Sequence, residues 1–112
     1  MIALKNNVRF KRFTPEIVRL FPIVEEVWSI YAKDTVAVIT SGNDSTHSKE
    51  SYHYTDYAID LRSKNLSEEQ KELIFLKLES ELDGKGYDVI LEGRGTENEH
   101  FHIEYNKRQE KV

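Results

Sequence analysis

Residues 57–91 read YAIDLRSKNLSEEQKELIFLKLESELDGKGYDVIL, and this stretch decides the fold. Tyr57 to Arg62 reads as a strand. Leu66-Ser67-Glu68-Glu69-Gln70 then opens a helix, with Ser67 and Gln70 at the spacing of a capping box. Leu73, Ile74, Leu78 and Leu82 form the apolar side of that helix, and Gly84 fits its C-terminal stop. Tyr87 to Leu91 is a further strand.

Upstream, Thr14-Pro15-Glu16 predicts a helix start: Thr14 caps, Pro15 suits the first helical position, and Glu16 complements the positive helix end. Ile17, Leu20, Phe21, Val24, Val27, Trp28 and Tyr31 follow at helical spacing as a core stripe, which Pro22 is expected to kink or split. Thr35 to Thr40 (TVAVIT) is rich in β-branched residues and predicts a strand. It runs into a polar loop that reaches about Ser51. Downstream, residues 92–96 predict a turn, His100 to Tyr105 alternates as a last strand, and residues 106–112 read as a charged, frayed tail. The order is helix, strand, strand, helix, strand, strand. Such segregated runs predict a small single α+β domain over residues 1–112, an antiparallel sheet flanked by two main helices, rather than a βαβ repeat.

Composition narrows the function classes. The chain has 112 residues, 38% hydrophobic and 32% charged, enough for one modest core. With a net charge of −4 and no basic stripe interleaved with aromatics, nucleic acid is not an expected partner. Apolar stretches are short and broken by charge, so no membrane span is expected. Met1 to Lys11 does not read as a secretory signal. There is no cysteine, which removes disulfides, thiolate metal sites and a cysteine nucleophile together.

All four histidines fall in two short segments, His47 and His53, then His100 and His102. Acidic residues accompany both: Asp56 and Asp60, then Glu97, Glu99 and Glu104. A His and carboxylate set without cysteine suits a zinc site with an open coordination position. His53 and Asp60 are seven residues apart, an odd separation that puts them on opposite faces of an unbroken strand. Both reach one metal only if the chain bends between them, and Asp56 tolerates turn conformations.

Ser51-Tyr-His53-Tyr-Thr-Asp56-Tyr-Ala58-Ile-Asp60-Leu61 resembles the S-x-H-x-x-G-x-A-x-D-[LIV] motif of the zinc D-Ala-D-Ala carboxypeptidases. That family also includes D-Ala-D-Ala dipeptidases and phage L-alanyl-D-glutamate endolysins. Glu99-His-Phe-His102-Ile-Glu104 resembles its later E-x-x-H-[apolar]-E segment, and Thr40-Ser41-Gly42 its strand-to-loop junction. The resemblance covers roughly residues 35–105. It implies a hedgehog/DD-peptidase-like fold, zinc ligands His53, Asp60 and His102, Glu99 as general base, and Ser51 in a supporting place. Glu97-Asn98-Glu99-His100 is an overlapping second E-x-x-H that would make His100 the third ligand. His102-Ile103-Glu104-Tyr105 matches the strand after the family ligand better, which favours His102. His100 shares its strand face and would line the same cleft.

Two positions depart from the family pattern. Asp56 stands where the family has Gly, and Asp44 stands where many members have an Arg that helps hold substrate. Arg94, in the turn before the second motif, is a candidate to replace that Arg in space; His47 is a loop residue on the substrate side or at the surface. The resemblance implies hydrolysis of D-amino-acid-containing peptides, above all peptidoglycan stems, by a monomeric zinc peptidase. It would be cytoplasmic when made, then released to the cell wall by phage lysis or carried in a virion. The alternative is a zinc-retaining but inactive binding or phage structural module of the same fold.

Overall fold

The computed structural model describes residues 1–10, 12–42 and 57–110, the last four as backbone. Strand β1 spans Ile2–Leu4; helices α1 and α2 span Pro15–Val18 and Leu20–Tyr31; β2 spans Ala37–Ser41 and β3 Ala58–Arg62; α3 spans Glu68–Leu82; β4 spans Lys85–Glu92 and β5 His100–Glu110. One five-stranded sheet has the order β1-β2-β3-β5-β4. The α+β class holds, but the sheet is mixed and not antiparallel: β1 pairs with β2 in parallel, and the other neighbours are antiparallel. The parallel pair comes from an N-terminal strand of only three residues, too short to show a period in the sequence.

The helices begin and end where local chemistry dictates. Thr14 accepts a hydrogen bond from the Ile17 N–H, with Pro15 at the first helical position. Pro22 cannot donate to the Val18 carbonyl, and its ring crowds that group, so α1 stops at Val18 and α2 restarts at Leu20. Pro22 thereby falls in the first turn of α2, where no donor is missed. Ser67 and Gln70 close both halves of the capping box on α3. Gly84, with φ 76°, follows its C-terminus and turns the chain into β4.

Both long helices pack on one face of the sheet. From this side α1 and α2 contribute Ile17, Leu20, Val24, Val27 and Trp28, all buried. Ile74, Leu78 and Leu82 do the same from α3, whereas Leu73 is 39% exposed and lies off the apolar stripe. The sheet answers with Ile39, Ile59, Leu61, Phe101 and Ile103. Trp28 meets Phe101 edge to face, with ring centroids 5.8 Å apart. Because side chains alternate along a strand, the intervening residues Asp60, Arg62, His100, His102 and Glu104 fall on the opposite face. β5 runs past Asn106 to Glu110, which pairs with Lys85. No helix among the described residues is long and apolar enough to cross a membrane.

Phe101 is fully buried between His100 and His102 and so carries both the core and the register of β5. Phe101→Ala is expected to cost about 3–5 kcal/mol in urea denaturation. Ile90→Ala, at a position 45% exposed, is expected to cost less than about 1 kcal/mol by the same measurement.

Candidate metal centre

Strands β3 and β5 are neighbours in register, with Asp60 directly opposite His102 and Arg62 opposite His100. Flanking pairs Ile59–Ile103 and Leu61–Phe101 point into the core, so the register is set by burial on the far face. Asp60, His100 and His102 form a group whose candidate ligand atoms all lie within 4.8 Å of one another.

His102 is 7% exposed. Its Nδ1 lies 2.8 Å from Asp60 Oδ1 and 3.5 Å from Glu92 Oε1, and its Nε2 lies 2.8 Å from Glu104 Oε1. Carboxylates accept but do not donate, so a neutral imidazole satisfies only one side of this arrangement. Either both nitrogens carry protons, or one faces a metal cation. Burial alone would lower the His102 pKa, but the hydrogen bond and charge of Asp60, then those of Glu104, outweigh it and raise it to about 9. A buried imidazole with a carboxylate on its outer nitrogen is also how histidine ligands to metals are held, the carboxylate fixing tautomer and ring plane.

His100 presents a related geometry. Its Nδ1 lies 2.6 Å from the Asn98 carbonyl oxygen, an acceptor, so Nδ1 carries the proton. In the neutral ring Nε2 then bears a lone pair, 3.7 Å from Asp60 Oδ2. The donor set of imidazole nitrogens and a carboxylate is what zinc takes in the absence of thiolates, and on this chemistry the residues fit a divalent metal.

Glu99 belongs to a different set of contacts. It is 8% exposed, and Lys71 Nζ lies 2.7 Å from its Oε1, which also accepts from Ser63 Oγ at 2.8 Å; Oε2 accepts from the Gly95 N–H at 3.1 Å. Lys71 lies on α3 three residues before Ile74, on the stripe that faces the sheet, and also pairs with Glu68 at 2.8 Å. The Lys71 hydrogen bond foremost, against the opposing effect of burial and with help from Gly95 and Ser63, lowers the Glu99 pKa to about 2. The structure thus joins Glu99 to Lys71 and Ser63, and does not bring its carboxylate into the Asp60, His100 and His102 group. The turn that leads to Glu99 is tight: Gly93 has φ 63°, and a Cβ there would sit 3.0 Å from Thr96 Oγ1.

The other expected residues divide plainly. His47, Ser51 and His53 lie outside the described residues, as do Asp44 and Asp56. Arg94 donates to Glu72 of α3 at 2.9 Å and is not brought to the metal group. Lys71, Ser63 and Glu92 were not anticipated. Only Lys71 had a signal in the sequence, its place on the helix stripe, and a lysine there reads as solvated until its partner is known. No family model, no curated protein and no solved structure matches this chain.

These charges set how stability depends on pH. Glu99 has a folded pKa of about 2 against an ordinary 4.5. The stability it contributes is therefore present above pH 4.5 and lost as pH falls toward 2. Lys71→Met should cost about 3–5 kcal/mol at neutral pH by leaving a buried carboxylate unpaired, and adding Glu99→Leu should recover most of it in chemical denaturation. For His102 the sign is opposite. The protonated form is stabilised below its ordinary pKa of 6.5, and that contribution disappears as pH rises through about 9. A metal must displace this proton, so calorimetric titration with zinc at neutral pH in two buffers of different ionisation enthalpy should show proton release.

Proposed function

We propose that this protein is a zinc-dependent peptidase that hydrolyses D-amino-acid-containing peptides, with peptidoglycan stem peptides as the first substrate class. The observation that carries the reading is the geometry of His102, whose two ring nitrogens each meet a carboxylate at 2.8 Å. The motif around His53, Asp60 and His102 supports the same reading and adds His53 as the third ligand. Asp60 and His102 Nδ1 would hold the metal, with Glu104 on the outer nitrogen of His102. Zinc bound there would supply positive charge for the oxygen of a scissile carbonyl and lower the pKa of water toward about 7.

With His53 in place of His100 as the third ligand, His100 Nε2, a candidate ligand atom of the group, is left to move the proton. Asn98 fixes its Nδ1–H, which leaves Nε2 as acceptor beside Asp60. That nitrogen takes a proton from the attacking water and returns it to the leaving amine. Glu99, the base in the family pattern, would be a weak acceptor at a pKa of about 2 and acts here as a positioning residue at the start of β5. The engagement of Glu99 by Lys71 favours one second reading, a zinc-retaining module without turnover.

The test is an assay on purified peptidoglycan and on small D-Ala-containing peptides, with metal content measured in parallel. Wild type should release new amines. Asp60→Asn and His102→Ala should lose both metal and activity. His100→Gln should drop turnover at least about 100-fold, the scale of a general base, with zinc retained. Glu99→Gln should keep turnover per folded molecule within about tenfold. A metal-loaded wild type that releases nothing from any of these substrates would leave the inactive module standing.

A further inference from the structure

Charge is unevenly spread along the chain. Residues 1–15 hold Lys5, Arg9, Lys11 and Arg12 and no acid, although the whole chain carries a net charge of −4. Over residues 9–13, Arg-Phe-Lys-Arg-Phe, basic residues are interleaved with phenylalanines. The net charge hides this local exception to an otherwise acidic chain. Arg9, Arg12 and Phe13 are exposed, Phe13 at 59%, and neither the core nor the hydrolytic chemistry uses them.

The segment has a fixed place. The Lys5 N–H donates to the Ile39 carbonyl at 2.9 Å, which carries the chain on from β1 along β2. At the end of β2, a Cβ on Gly42 would lie 2.8 Å from the Arg9 carbonyl oxygen and 3.0 Å from the Phe10 ring, so glycine lets the segment close on the strand. Phe10 stacks on Phe13 with ring centroids 4.8 Å apart, and both meet Phe21 of α2 edge to face, at 6.4 and 6.1 Å. Phe10 and Phe21 are half-buried and form the base on which Phe13 stands. Val18, 46% exposed, follows on α1.

We propose that Arg9, Arg12 and Phe13, backed by Phe10 and Phe21, form a docking surface for an anionic phospholipid membrane. Guanidinium groups pair with headgroup phosphates, and an exposed aromatic beside them enters the boundary between headgroups and acyl chains. The contact is peripheral. A single-stranded nucleic acid fits less well, because base stacking needs open ring faces, and Phe10 and Phe13 each turn one face on the other. Exposed Val18 adds apolar surface that a membrane takes up and a base does not. The surface adjoins the candidate metal group through β2, where Ser41, next to Gly42, pairs with Asp60. Lipid binding there does not depend on the peptidase reading.

The experiment is sedimentation of the full-length protein with vesicles of pure phosphatidylcholine and of phosphatidylcholine with about one third phosphatidylglycerol. The protein should bind the anionic vesicles at least about tenfold more tightly, and added salt should weaken that binding. Arg9→Gln/Arg12→Gln, changed only at exposed positions, should weaken it by about fivefold per charge removed. Lys85→Gln/Arg94→Gln removes the same charge beside β4, at the opposite edge of the sheet, and should stay within about twofold of wild type. Phe13→Ser should weaken binding at least about tenfold. In Phe13→Trp the fluorescence should shift to the blue on anionic vesicles and be quenched by brominated acyl chains. No binding, equal binding to both vesicles, or full binding by Arg9→Gln/Arg12→Gln would overturn the docking surface, as would Phe13→Trp fluorescence that lipid leaves unchanged. Tighter binding of a single-stranded oligonucleotide than of anionic vesicles at the same salt would overturn it in favour of nucleic acid.

Discussion

The contact on which the site depends is the cross-strand pair of Asp60 and His102, a carboxylate oxygen and a ring nitrogen 2.8 Å apart. It exists because β3 and β5 pair in one register, and that register is held from the other side of the sheet. Ile59, Leu61, Phe101 and Ile103 are all fully buried under the helices. A slip of β3 by one residue would turn Ile59 and Leu61 toward the far face and bring Asp60 against the core. The apolar face thus enforces the polar one, and Trp28 packed on Phe101 is part of the same constraint.

The acids around this pair fall into two groups with opposite protonation logic. Glu104, Asp60 and Glu92 surround one imidazole and hold excess negative charge that a proton or a metal must offset. Glu99, only three residues before His102, is neutralised by Lys71 and tied to Ser63. The division follows from position on β5. His102 and Glu104 share a face with Asp60, whereas Glu99 sits before the alternation begins and reaches α3. A buried ion pair of this kind contributes little net stability over apolar packing, but breaking one half of it is costly. Its value lies in anchoring the turn that delivers His100 and His102 into the sheet.

Much of this was legible in the residues. Caps at Thr14 and Ser67, the interruption at Pro22 and the stop at Gly84 are local chemistry, and each appears where the sequence puts it. His100 and His102 were legible as a pair because strand alternation places both on one face, whereas Asp60 was joined to His102 only by the resemblance of the motifs. Tertiary partners decided what the sequence did not convey. β1 is too short to carry a period and forms only by pairing with β2. The extension of β5 past Asn106 depends on β4, not on its own polar residues. Lys71 is a charge on a core stripe whose reason, Glu99, lies 28 residues later in the chain. Arg94 pairs with Glu72, a helix neighbour invisible to a motif.

The most direct test of the account is anomalous X-ray diffraction at the zinc edge on crystals of the zinc-loaded protein. The account predicts one strong peak per chain, with His102 Nδ1 and an Asp60 carboxylate oxygen both about 2.0–2.2 Å from it. Glu104 should be on the outer nitrogen of His102, and Glu99 still on Lys71. Absence of a peak at Asp60 and His102 in crystals soaked in excess zinc, with the 2.8 Å contact between them intact, would contradict it.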